Sequence, residues 1–106
     1  MYLTMNRFKV KLGQEEAFER VWKTRDSQLA DVPGFVAFHL MRGEEKGDHR
    51  LYASHTMWAS EDAFRDWTRS EAFRRAHAGA GGNAGLYAGH PELEVFTSVQ
   101  EISASE

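Results

Sequence analysis

The chain of 106 residues contains no cysteine. That excludes disulfides, zinc–thiolate sites, iron–sulfur clusters and thiol catalysis. It has only two prolines. No apolar run approaches the roughly 18 residues that a membrane-spanning helix needs. The start, MYLTMNRFKVK, lacks a basic segment followed by a long apolar one, so it does not read as a secretory signal. An excess of positive charge is also missing. The formal net charge is −3, and basic pairs such as Arg74-Arg75 are local. Nothing in that balance marks a nucleic-acid partner. The expectation is a soluble, cytoplasmic protein without a membrane or nucleic-acid partner. Among motifs, HExxH, Gly-x-Ser-x-Gly and the dinucleotide fingerprint are absent.

What the chain does have is aromatic side chains. Seven Phe, three Trp and three Tyr make up 12% of it. For one domain over 1–106 this is generous, and some of these rings are expected to line a pocket. A core of this size has little surplus stability, so association with a second copy would help it.

Residues 2–11 predict a strand. From Asn6 onward the pattern alternates, with Asn6, Phe8, Val10 and Leu12 on one face and Arg7, Lys9 and Lys11 on the other. Asn6 is a polar residue on the apolar face. Burying its amide is unfavourable unless it is hydrogen-bonded. Neighbouring backbone could satisfy it, or it could point into a cavity and meet a ligand.

Residues 14–30 predict a helix, with Ala17, Phe18, Val21, Trp22 and Leu29 on its apolar face. Pro33 and Gly34 end it. Phe35–Arg42 and Arg50–Trp58 predict two strands joined by a charged hairpin loop, Gly43–Asp48. Either face of the second of these strands could be buried. Ser60 reads as a helix N-cap, followed by Ala63, Phe64 and Trp67. Ser70 reads as a second N-cap, so the helix is expected to break there. The next segment carries Phe73 and His77, four residues apart and therefore on one face.

Residues 78–91 are rich in glycine and serve either as a loose connector or as a mobile lid. Leu93–Ile102 predicts the last strand. The order β-α-β-β-α-β is that of a ferredoxin-like α+β fold, whose antiparallel sheet has one face under helices and one uncovered.

The five histidines show no close spacing of the metal-ligand kind in sequence. His49 falls in a hairpin loop, His39 and His55 within strands, and His90 after the glycines. His77 has two readings. It is a helix-end histidine favoured by the dipole, or an axial ligand for a flat iron cofactor beside an aromatic wall.

Asn6-Arg7-Phe8, Phe18 with Trp22, Pro33-Gly34-Phe35, Trp58, and Phe64…Trp67…Ser70-x-x-Phe73…Ala76-His77 together resemble the IsdG-type heme-degrading monooxygenases. These belong to the wider antibiotic-biosynthesis-monooxygenase-like family of dimeric α+β barrels. The resemblance covers nearly the whole chain. It implies a homodimer that takes heme as both substrate and cofactor. It also implies O2 and an external electron donor, either a reductase or a small-molecule reductant.

By the same resemblance, Asn6, Trp67 and His77 match the catalytic asparagine, tryptophan and proximal histidine. His77 would ligate the iron, and Asn6 would donate to a ligand on its other side. Trp67 would press the macrocycle out of plane. Phe8, Val10, Phe64 and Phe73 are then expected as apolar wall, with Arg7, Arg74 and Arg75 as partners for the propionates.

Overall fold

The structure is a computed structural model, and it describes residues 1–25, 28–77 and 85–104. The elements are β1 (Tyr2–Lys11), α1 (Glu15–Thr24), β2 (Phe35–Glu45), β3 (His49–Trp58), α2 (Glu61–Thr68), α3 (Glu71–His77) and β4 (Glu92–Thr97). A single 3₁₀ turn, Leu29–Asp31, stands between α1 and β2. The strands form one antiparallel sheet in the order β2-β3-β1-β4. This is the ferredoxin-like α+β arrangement expected from the element order. No helix among the described residues is long and apolar enough to cross a membrane.

The alternation along β1 decides which face is covered. Tyr2, Thr4, Phe8 and Val10 are buried beneath the helices, with the half-buried Asn6 on the same face. Opposite them on β3 lie Trp58, Thr56, Ser54 and Tyr52. That register settles the face left open by the sequence of β3. The tightest core gathers Phe8, Val10, Phe18 and Tyr52, with Trp22, Leu40, Leu86 and Tyr87 packed around them. Val10 and Phe18 are wholly excluded from solvent.

Three elements differ in extent from their sequence-based expectation. α1 stops at Thr24 instead of continuing to residue 30. Its apolar stripe lapses after Trp22, and the Thr24 hydroxyl turns back to donate to the carbonyls of Arg20 and Val21. Leu29 therefore belongs to the 3₁₀ turn and not to the helix. β2 runs on to Glu45, which leaves a shorter hairpin turn closed by the Lys46 N–H on the His49 carbonyl at 2.7 Å. β4 ends at Thr97 because its partner strand begins there, Tyr2 facing Thr97. Val99 and Ile102, expected in that strand, lie beyond it and are exposed.

The glycine-rich stretch is only partly described. Residues 78–84 lie outside the described residues. Around Tyr87 the chain is docked on the sheet. Tyr87 bridges to Val10 and stacks on Phe8 with ring centroids 6.0 Å apart, and the Ala88 N–H bonds to the Lys9 carbonyl at 2.7 Å.

Gly34 fixes how closely α2 approaches the start of β2. Its φ of +82° is a left-handed conformation that favours glycine. A Cβ at that position would collide with the Cβ of Ala63. The Gly34 carbonyl also accepts from the Ala59 N–H at 2.8 Å, which pins the entry to α2.

Candidate active site

A cavity of about 220 Å³ opens between the covered face of the sheet and the helices. Its floor is made by β1 and β3 through Thr4, Asn6, Ser54 and Thr56, with Leu93 beside them. One wall is Trp22 and Phe38, whose rings stack 5.7 Å apart at an interplanar angle of 19°. The other wall is Phe64, Trp67 and Phe73. Arg25, Leu29 and Thr68 complete the lining.

The second wall depends on the helix break. Ser60 caps α2 by accepting from the Ala63 N–H at 3.2 Å. α2 ends after two turns, and Ser70 handles the junction from both sides. Its hydroxyl donates to the Trp67 carbonyl at 2.6 Å and accepts from the Phe73 N–H at 3.1 Å. One side chain thus closes one helix and caps the next. The change of direction brings Trp67 and Phe73 edge to face, with centroids 4.8 Å apart and an interplanar angle of 90°. Behind Trp67 stands the fully buried Trp58 at 5.4 Å, its indole N–H donating to the Thr4 hydroxyl at 3.2 Å.

Asn6 lies on the cavity floor, half-buried, opposite Ser54. Its amide has no hydrogen-bond partner among the described residues. Of the two readings open to it in sequence, the structure gives the cavity-facing one.

Several residues assigned to the site from sequence fall elsewhere. Phe8 does not line the cavity. It is 5% exposed and packed among Phe18, Trp22 and Tyr87. Val10 is buried in the same core. A two-residue step along β1 separates the floor of the cavity from the centre of the core, and periodicity cannot tell them apart.

Arg7 points to the opposite face of the sheet and pairs with Glu94 at 2.5 Å. Arg74 pairs along its own helix with Glu71 at 2.6 Å, and Arg75 is exposed. None of these three arginines lines the cavity. The backbone of His77 closes α3, one turn after Phe73. Its side chain lies outside the described residues.

Sequence reasoning missed Arg25 and gave Trp22 to the core alone. Arg25 lies just past the end of α1, and its guanidinium sits 4.3 Å over the Trp22 ring. The signal available in sequence was the lapse of the apolar stripe at Arg25, which marks both the helix end and a cation left facing the cavity.

Residues 1–79 match the description of the antibiotic biosynthesis monooxygenases. The chain belongs to the antibiotic biosynthesis monooxygenase family. A heme oxygenase (staphylobilin-producing) from Staphylococcus saprophyticus is 32% identical over 79 residues, 74% of this chain and 75% of that one. The heme degrader MhuD from Mycobacterium tuberculosis, solved with two hemes bound in its active site, superposes with a TM-score of 0.70. It is 28% identical, over 97% of this chain and 100% of that one. SnoaB, a cofactor-independent oxygenase from Streptomyces nogalater, superposes with a TM-score of 0.69 at 27% identity, over 97% of each chain. The proteins this chain is similar to thus include ones named for acting on heme and one named as cofactor-independent.

The lining suits a flat, mostly apolar molecule with a few polar edges. Aromatic rings stand on two sides of it, with an amide on the floor and a guanidinium at Arg25. Heme has that character. Among the described residues no group of three or more His, Cys, Asp or Glu stands together.

Proposed function

We propose that this chain is a heme-degrading monooxygenase. It opens the porphyrin ring of heme with O2 and electrons from an external reductant, giving an open-chain bilin and releasing iron. The observation that carries this reading is the cavity itself, in which the Asn6 amide, with no partner among the described residues, faces an aromatic wall ending at Trp67 and Phe73.

Heme, as substrate, brings the iron at which O2 is activated. The protein's part is positioning. Trp22, Phe38, Phe64 and Phe73 would exclude water from the two faces of the macrocycle. Trp67, braced from behind by Trp58, cannot retreat and would press the ring out of plane. Asn6 would donate its amide hydrogen on the side of the ring facing the sheet. His77, the residue that closes α3, would ligate the iron, its other ring nitrogen held by an acceptor. Arg25 would meet an acidic edge of the ring. The enzyme would act in the cytoplasm as a homodimer, using a reductase or a small-molecule reductant, and would serve iron acquisition.

Hemin titration tests this directly. A one-to-one complex with a shifted Soret band, bleached by ascorbate with catalase present, is expected. Stable binding without bleaching would make the protein a carrier. No spectral change would sink both heme readings and favour a cofactor-independent oxygenase acting on aromatic substrates, for which Asn6 and Trp67 would also serve. His77→Ala is expected to abolish the axial ligand, and an unchanged heme spectrum would remove that assignment.

A further inference from the structure

Asn6 is not alone on the cavity floor. Ser54 is directly opposite it, Asn6 on β1 and Ser54 on β3, the two inner strands of the sheet, and both line the cavity. The neighbouring pair on the same face, Thr4 and Thr56, lines it too. Thr4 is already engaged, since its hydroxyl accepts from the Trp58 indole N–H at 3.2 Å. Ser54 is not engaged. It is 4% exposed, yet its hydroxyl has no hydrogen-bond partner among the described residues, Asn6 included. A buried hydroxyl without a partner weakens a fold, and an apolar side chain of similar size would occupy the same place without that loss. The packing of the sheet therefore gives no reason for a serine here. The cavity does, because whatever enters it meets that hydroxyl.

We infer, on the reading of this cavity as a heme site, that Ser54 is a second catalytic donor, acting beside Asn6 on the sheet-facing side of the ring. Facing residues of an antiparallel pair hold their Cβ atoms only about 5 Å apart. An amide and a hydroxyl at that spacing can converge on one small acceptor between them. The serine has one hydrogen to give and the asparagine two. Neither has to break a hydrogen bond inside the protein to give it, so both dipoles are in place before the acceptor arrives. Aromatic walls keep water away, and contacts made there are stronger than in solvent. The backbone of Ser54 is fixed from both sides, by Asn6 on β1 and by Leu40 on β2. Two donors held on neighbouring strands set a direction as well as a strength, because the acceptor is drawn toward the line between them.

The test loads the full chain with hemin and reads an added ligand instead of turnover. Azide is the probe for the ferric complex. Ser54→Ala should weaken azide binding about tenfold, the scale of a hydrogen bond to a charged acceptor. Hemin affinity and the Soret band before azide is added should match the wild type, which also reports that the variant is folded. Ser54→Thr, which keeps a hydroxyl, should restore most of the azide affinity. With carbon monoxide on the reduced complex, the C–O stretch should rise in Ser54→Ala, as it does when a donor is withdrawn from the oxygen. Without heme, the urea midpoint of Ser54→Ala should equal or exceed that of the wild type, because the hydroxyl has no partner in the fold to lose. Azide affinity and C–O stretch both unchanged in heme-loaded Ser54→Ala would overturn the role of Ser54 and leave the heme site standing. A clearly lower urea midpoint would assign the hydroxyl to the fold and overturn it as well. A wild-type chain that takes up no hemin would overturn the heme site itself, and Ser54's role with it.

Discussion

Asn6 and Phe8 stand two residues apart on the same face of the same strand, and they do opposite things. Phe8 sits under α1 among Phe18, Trp22 and Tyr87, where every side is filled. Asn6 sits under the junction of α2 and α3, where the helices stand off and leave a cavity. The strand is the same; what differs is the length and direction of the helix above it. α1 lies over its end of the sheet as one unbroken element. The second helical segment is cut at Ser70 into two short pieces whose aromatic residues wall a space without filling it. In this molecule a helix break, and not a change in the sheet, makes the site.

The strongest way to break that comparison is to exchange the fates of the two positions. Phe8→Ala removes a ring from a filled core and should lose about 3–5 kcal/mol of stability, read as a large drop in the urea midpoint. Asn6→Ala should leave that midpoint within about 1 kcal/mol, yet slow heme turnover on the order of a hundredfold, the scale seen when one positioned donor is removed. If Asn6→Ala destabilises as much as Phe8→Ala, the two ends of the strand are not different in kind.

A milder probe is Ser70→Ala. Losing an N-cap should lower stability by about 1 kcal/mol. It should also loosen the edge-to-face contact of Trp67 on Phe73, seen as a change in near-ultraviolet circular dichroism. An unaltered spectrum would mean that the break does not depend on the hydroxyl.

The smallest expected effect belongs to the filled end. The Tyr52 hydroxyl donates to Glu19 at 2.5 Å, and Arg42 donates to the same carboxylate oxygen at 2.6 and 2.9 Å. The Tyr52 hydrogen bond first, and then Arg42, hold the Glu19 carboxyl below its ordinary value of 4.5. A lowered folded-state value stabilises the fold above the unfolded value and ceases to do so as pH falls through the folded one. Stability is thus expected to decline in acid below about pH 4.5, and Tyr52→Phe should make that decline shallower. Urea midpoints measured from pH 6 to 3 would show it, and parallel curves for the two proteins would rule the linkage out.

Much of this was legible in the chain. The alternation in β1, the two serine caps and the order of elements gave the fold, and Asn6 stood out as a polar residue on an apolar face. The two serines were readable because capping is local chemistry, set within three residues. What the sequence could not show depends on what lies overhead. Phe8 and Asn6 share a period, so assigning Phe8 to the cavity wall was natural and incorrect. Arg7 was excluded from the cavity by the same alternation that placed Asn6 there. Arg25 stayed hidden because the predicted helix ran through it, and the pairing of Asn6 with Ser54 needed the register of two strands.

Gly34 has a bearing on specificity that its place outside the cavity conceals. It sets the closest approach of α2 to the sheet by letting Ala63 rest on bare backbone. Any side chain there would act as a shim under the helix that carries Phe64 and Trp67. Widening the gap would admit a thicker guest, or two flat ones in a stack, without altering one lining residue. The calibre of this pocket is therefore inherited from a spacer on its outer frame.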